Sequence, residues 1–194
     1  MKLFKTLFLS CLLMASFSAL AETKTAIFAG GCFWSMQHDF DKVNGVVATT
    51  VGYTGGTVAN PSYEQVSNGD TGHYEAIKVE YDPAKISYQQ LASFFIHDID
   101  PTDMQGEFCD KGNEYHSVIF YEDAQQKNVA IGMKNSLIMS KKFANVATEV
   151  LPAKTFYPAE DYHQKYSEKN PDAYMAYRKG CQRDQTLSEV WDKK

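Results

Sequence analysis

The sequence predicts an α+β domain: a mainly antiparallel sheet with helices on one face in a split βαβ arrangement, then a long coil-rich C-terminal tail. Three observations predict it. Between Lys24 and Tyr121 the hydrophobic period alternates between two and 3.6, in the order strand, helix, strand, strand, helix, strand. The 173 residues left when an N-terminal leader of 21 is taken from 194 suit one domain with one core. A composition 44% hydrophobic and 22% charged is ordinary for a globular chain, which argues against disorder.

Met1 to Ala21 stands apart from the fold. It opens with Lys2 and Lys5, is apolar from Leu7 to Leu20 and closes Ala19-Leu20-Ala21, the pattern of a cleaved secretory signal. Ser10, Ser16 and Ser18 interrupt an apolar stretch already short of the ~20 residues that a membrane span needs. Phe8-Leu9-Ser10 makes a poor lipoprotein signal before Cys11. The expectation is a signal peptide over residues 1–21 and one catalytic domain over 22–194. The mature protein is then periplasmic or secreted, without a stable membrane span.

The elements follow in order. Lys24 to Ala29 reads as a short buried strand, broken by Gly30-Gly31. Phe33, Met36, Phe40 and Val43 recur at helical spacing until Asn44-Gly45. Val46 to Tyr53 is β-branched and ends at Gly55-Gly56, and a polar loop runs to Gly72. Tyr74 to Tyr81 is a strand stopped by Asp82-Pro83. Ser87 with Gln90 forms a capping box for a helix carrying Leu91, Phe94 and Phe95. Asp98 to Glu114 reads as a long polar loop, and His116 to Tyr121 as a strand. Asp123 with Gln126 caps a helix towards Lys141, and Ala147 to Leu151 supplies a further strand. After Pro152 periodicity fades, so the tail is expected as coil with a short helix near Tyr174. This is the ferredoxin-like order of elements.

The leader carries two lysines and no acid, so its removal takes the net charge from −5 to −7. Only Arg178 and Arg183 are arginines. Such a chain is not built to neutralise phosphates, and nucleic acid is excluded as a partner. Three cysteines remain: Cys32, Cys109 and Cys181. An odd count in an oxidising compartment leaves one thiol unpaired or cycling. There is no C-x-x-C pair, so no metal site is expected.

Cys32 lies where a strand passes through two glycines into a helix. Unpaired amides and the macrodipole at a helix start favour a thiolate. A buried, inert cysteine packing the helix start fits the position equally well.

Gly31-Cys32-Phe33-Trp34 resembles the signature of methionine sulfoxide reductase A. The resemblance continues through Gly52-Tyr53-Thr54-Gly55-Gly56, Tyr63 to Val66, Thr71-Gly72-His73 with Glu75, and Tyr81-Asp82-Pro83. It extends to Asp110 with Tyr115 and Ser117, Ala159-Glu160 with Tyr162-His163-Gln164, and Asn170-Pro171. On that pattern the chain is identified as a member of the family, whose fold is an elaborated split βαβ. The resemblance implies reduction of methionine sulfoxide to methionine. Cys32 is then the nucleophile and Glu75 the proton donor, Tyr63 and Tyr115 bind the sulfoxide oxygen, and Asp110 organises the site. Phe33 and Trp34 wall the methyl pocket. A carboxyl on the same strand face as Ile77 and Val79 is independently odd enough to suggest function.

Attack leaves oxygen on Cys32 as a sulfenic acid, which a second thiol displaces. Many members carry that thiol just after the Asn-Pro motif, where this chain has Met175. Cys181, in a tail expected to be mobile and flanked by Arg178, Lys179 and Arg183, is the expected resolving cysteine, with Cys109 the alternative. Ser35 and Gln37 also depart from the family pattern. No bound cofactor is expected, only an external thioredoxin-like thiol reductant. The expected substrates are oxidised proteins or free methionine sulfoxide, and a monomer is expected. Two other readings remain. One is a cysteine hydrolase using His73, His116 or His163 as base. The other is a secreted binding domain in which Cys109–Cys181 is a staple and Cys32 is buried.

Overall fold

The computed structural model describes residues 22–192, so the expected signal segment lies outside the described residues. In chain order, β1 (Lys24–Ala29) leads into α1 (Phe33–Phe40) and β2 (Val46–Thr54). Next come α2 (Tyr63–Ser67), β3 (Tyr74–Tyr81) and α3 (Tyr88–His97). A small hairpin of β4 (Gly106–Glu107) and β5 (Asp110–Lys111) precedes a 3₁₀ turn at Asn113–Tyr115. β6 (Val118–Tyr121), α4 (Ala124–Ser140), β7 (Glu149–Pro152) and β8 (Tyr157–Pro158) follow. The chain closes with α5 (Tyr166–Lys169), α6 (Pro171–Gly180) and α7 (Arg183–Asp192).

The main sheet has the order β7-β6-β1-β3-β2-β8. β1 is antiparallel to β3 and β6, β2 is antiparallel to β3 and β8, and β6–β7 is the parallel pair. β1 and β2 therefore run the same way with β3 between them. Ala26 and Phe28 face one side, where Met36, Phe40, Leu91, Phe95 and Ala130 from α1, α3 and α4 cover them. Phe28 stacks on both Phe40 and Phe95. Ile27 and Ala29 face the other side, against Ala76, Val118 and Phe120. Burial on both faces explains why β1 reads as a continuous apolar run. The result is an α+β domain with a mostly antiparallel sheet.

The caps expected at Ser87–Gln90 and Asp123–Gln126 are both formed. Several expectations need correction. The polar stretch before Gly72 contains α2, started by a second capping box, Ser62 with Gln65. The stretch from Asp98 to Glu114 holds the β4–β5 hairpin and the 3₁₀ turn instead of running as loop. The C-terminal tail is not coil-rich, because α5, α6 and α7 occupy most of it after Tyr166.

The tail helices escape a hydrophobic reading because they bury polar side chains. Arg178 bonds Asp39, Asp184 and the Tyr174 hydroxyl. Arg183, 2% exposed, bonds both the carbonyl and the carboxylate of Asp98 and lies over the Phe108 ring. Pro171 opens α6, where its missing N–H costs nothing. Among the described residues no helix is long and apolar enough to cross a membrane.

Candidate active site

β1 ends at Ala29, and two glycines turn the chain into α1. Gly31 has φ +79°, and its N–H donates to the Tyr115 carbonyl at 3.2 Å. A side chain there would lie 2.7 Å from Glu107 Cβ, so only glycine lets the turn sit against the β4–β5 hairpin. Cys32 is the N-cap of α1 and is 8% exposed. The next amide, of Phe33, donates to Glu75 Oε2 at 3.0 Å.

The helix start favours a Cys32 thiolate, but in this state the opposite force dominates. Burial, and then the charge of Glu75, push the thiol well above its ordinary range. Glu75 is paired across the sheet with Tyr53 and is itself 3% exposed. Burial raises its carboxyl to about 8, outweighing the Phe33 N–H bond. Glu75 therefore holds a proton at neutral pH.

Tyr63, the first residue of α2, and Tyr115, in the 3₁₀ turn, face each other beside Glu75 and Cys32. Burial raises both phenols, Tyr63 to about 12, so both keep their donors. Glu160, to which the sequence assigned no role, accepts the Tyr63 N–H at 2.9 Å and the Tyr53 hydroxyl at 2.8 Å. It fixes the start of α2 on the sheet. Its only sequence signal was its place beside Ala159 in a family motif.

Phe33 packs on Tyr53 and meets the His163 ring edge-on at 5.0 Å. Trp34 stacks on Tyr166 at 3.8 Å and donates its Nε1–H to His163 Nδ1 at 3.0 Å. His163, lowered by burial, is a neutral acceptor that braces this aromatic wall. Gln37, a departure from the family pattern, is buried, donating to Thr49 and accepting the Lys165 N–H, which ties α1 to the tail.

Asp110 stands on the far edge of the cluster. Its Oδ2 accepts from the Tyr177 hydroxyl at 2.5 Å, and its carboxylate also takes the backbone N–H of Cys32. Burial raises it, while Tyr177 and then Arg183 pull it down. Tyr177, on α6, also brings its hydroxyl within bonding reach of the Cys32 thiol. Sequence reasoning missed Tyr177; as one of the chain's twelve tyrosines it carries no local signal.

The structure places Cys109 and Cys181, posed as rivals, in one disulfide with Cα atoms 4.9 Å apart, and Cys32 is free. Cys109 is exposed, whereas Cys181 is 9% exposed at the α6–α7 turn, anchored where mobility was expected. The two arginines around Cys181 do not act as free charges on its sulfur. Arg178 and Arg183 are committed to Asp39, Asp184 and Asp98. Ligand atoms of Cys109, Asp110 and Cys181 lie within 4.8 Å of one another, but the two sulfurs are bonded together and offer no thiolate pair to an ion.

The competing readings fare differently. His73 is engaged with the Gly56 N–H and the Val58 carbonyl, and His163 with Trp34; no histidine hydrogen-bonds Cys32 among the described residues. A hydrolytic Cys–His pair is therefore not assembled. The disulfide is the pairing that a structural staple would also make, but it adjoins Asp110 at the edge of the thiol cluster.

A family model described as peptide methionine sulfoxide reductase matches residues 24–194. The chain is similar to peptide methionine sulfoxide reductase MsrA 2 of Caulobacter vibrioides, 45% identical over 173 residues that cover 89% of this chain and 88% of the relative. Among solved structures it is similar to Mxr1 from Saccharomyces cerevisiae in reduced form. The TM-score is 0.73 at 33% identity, covering 78% of this chain and 88% of that one. Mxr1 in complex with Trx2 matches with a TM-score of 0.53 at 25% identity, covering 76% and 86%.

Proposed function

The chain belongs to the peptide methionine sulfoxide reductase A family, and from that premise we propose how its own residues carry out the thiol-dependent reduction. Cys32 sulfur attacks the sulfoxide sulfur while Glu75 gives its proton to the oxygen, with the Tyr63 and Tyr115 hydroxyls donating to the same oxygen. The S-methyl group lies against Phe33 and Trp34. Methionine leaves, and the oxygen remains on Cys32 as sulfenic acid. The Cys181 thiol then forms a disulfide with Cys32 and releases water. Cys109 attacks Cys181, frees Cys32 as a thiol and leaves the Cys109–Cys181 disulfide, which a thioredoxin-like dithiol reduces.

One observation carries the chemical step: a buried carboxyl, raised to about 8, bonded to the amide after a buried thiol and flanked by two phenols. An acid poised near neutral pH fits a leaving oxygen better than an ordinary carboxylate does. The recycling order is supported by a disulfide that joins the other two cysteines, exposes Cys109 and leaves Cys32 free. The external donor is supported by the structure of Mxr1 with Trx2.

We read the central strands, β6-β1-β3-β2, as the split βαβ (ferredoxin-like) core that carries Cys32 and Glu75 on adjacent strand ends. Residues 1–21 are read as a signal peptide and 22–194 as one monomeric catalytic domain that repairs exported proteins.

The test is single-turnover reduction of the separated sulfoxide epimers by the parent and by Cys32→Ser. Turnover of the S epimer alone, abolished in Cys32→Ser, is expected. Equal rates on R and S, or activity without Cys32, would overturn the reading.

A further inference from the structure

The site poses a problem that the route above does not solve: Cys32 must lose a proton in a place that disfavours the thiolate. Its thiol is buried, and its nearest carboxyl, Glu75, already holds a proton at neutral pH and cannot accept another. The helix start gives less help than its position suggests, because the Phe33 amide is taken by Glu75.

A second side chain, besides Glu75, faces the same sulfur. Tyr177, one helical turn before Cys181, stands with its hydroxyl between the Cys32 thiol and Asp110 Oδ2, 2.5 Å from the latter. Burial raises the Asp110 carboxyl, which makes it a better proton acceptor, while Tyr177, Arg183, the Cys32 amide and Lys111 pull it back towards the ionised form. Tyr177 is itself seated by edge-on contact with Trp34 at 5.9 Å. A phenol can donate one proton and accept another at the same oxygen, so it can pass a proton between two partners without changing its own state.

We propose that Tyr177 is the proton relay of Cys32: the thiol proton moves to the Tyr177 oxygen as the phenol proton moves to Asp110 Oδ2. The products are a Cys32 thiolate, an unchanged phenol and a neutral Asp110 carboxyl, with no net change in charge. The inference rests on Cys32 being the nucleophile and adds a catalytic residue that touches it. It separates two proton tasks: Asp110 takes the proton from sulfur through Tyr177, and Glu75 keeps its own for the leaving oxygen. Because Cys181 follows Tyr177 by one turn and Cys109 precedes Asp110, the relay sits between the nucleophile and the disulfide that recycles it.

The test reads the ionisation of Cys32 directly. With the Cys109–Cys181 disulfide intact, the protein is treated with iodoacetamide from pH 5.5 to 10, and Cys32 labelling is followed by peptide mass spectrometry. The groups facing the thiol are Glu75 from β3, Asp110 from β5, Tyr63 from α2, Tyr115 from the 3₁₀ turn and Tyr177 from α6. Tyr177→Phe removes one oxygen from this set and keeps the ring. Labelling is expected to fall tenfold or more at pH 7 and across the alkaline part of the range. Asp110→Asn should do the same, and the double variant should be within twofold of either single, since both break one path.

Tyr174→Phe is the structural control. It removes a hydroxyl from the same helix that bonds Arg178 and Ser35, not Cys32, and should leave the profile in place. A Tyr177→Phe profile that superimposes on the parent overturns the relay. So does a double-variant loss equal to the product of the single losses, or a loss as large in Tyr174→Phe. Sulfoxide turnover by the parent, run beside these, tests the reductase reading separately, because labelling of Cys32 requires no sulfoxide.

Discussion

Replacing Glu75 with glutamine probes the centre of the site with little change in shape. The amide can still accept the Phe33 N–H through its oxygen, but it has no acidic proton to give. With its carboxyl at about 8, Glu75 is roughly nine-tenths protonated at pH 7 in the parent. Removing a general acid costs ~10²–10⁴-fold, or about 3–5 kcal/mol of barrier. Tyr63 and Tyr115 still donate to the oxygen, which places the expected loss towards the lower end, about 10²–10³-fold.

The pH dependence follows from the direction of the displacement. A carboxyl raised in the folded state is the working acid below about 8 and loses that role as pH rises through it. The parent's single-turnover rate should therefore fall about tenfold per pH unit above 8, whereas Glu75→Gln lacks that limb and the gap between the two narrows. Stability moves in the complementary sense. The contribution of protonated Glu75 is fully present below 4.5 and is lost by pH 8 and above, so the glutamine variant gains relative stability there. The displacement from 4.5 to about 8 sets an upper bound of about 5 kcal/mol. Rapid-quench measurement of methionine formation from an S-sulfoxide peptide between pH 6 and 9.5, with thermal melts over the same range, supplies both readings. A Glu75→Gln rate within threefold of the parent at pH 7, or a parent profile with no descending limb near pH 8, would refute the argument.

The remaining expectations follow from the same geometry. Tyr63→Phe and Tyr115→Phe should each slow the reductase step about tenfold and together by more than the product, since either phenol can partly serve the oxygen alone; rapid-quench rates of the three variants decide it. Cys181→Ser should convert one equivalent of substrate and then stall as a Cys32 sulfenic acid with a thioredoxin-type donor, detected by a sulfenic-acid probe; steady cycling would remove Cys181 from recycling. Arg183→Met should destabilise the fold by about 3–5 kcal/mol in denaturant titrations, because Asp98 and Glu107 lose their buried cation. Burial raises both acids, so protonation relieves the variant, and its deficit should be smaller at pH 5 than at pH 8.

Where a residue's task shows in its local neighbours, the sequence exposed it. Ser87 with Gln90 and Asp123 with Gln126 are short-range caps, and both formed as read. The placement of Cys32 at the glycine turn into a helix, and of Glu75 on an apolar strand face, was legible for the same reason. Family resemblance pointed to Tyr63, Tyr115 and Asp110, which lie on three separate elements, α2, the 3₁₀ turn and β5. Tyr177 and Arg183 were not legible, because their partners lie 67 and 85 residues away. Helices that bury guanidinium groups against carboxylates leave no apolar stripe, so the tail passed for coil. Cys32 shows the reverse error: the helix start was visible in the sequence, but the burial that opposes it was not.

The bonds from Arg178 to Asp39 and from Arg183 to Met36 span 139 and 147 residues. A ribosome delivers Cys32 early and these arginines nearly last. For most of synthesis Cys32 therefore lacks Tyr177, whereas Glu75 and Asp110 are made by the time a little over half the chain is complete. Separations of this size also raise the entropy of closure, so the tail docks late and the sheet can form before the chemistry does. Truncation before residue 177 would leave the paired strands and remove the reaction's wiring. The order of assembly thus leaves Cys32 without Tyr177, and Cys109 without its disulfide partner, until α6 has been made.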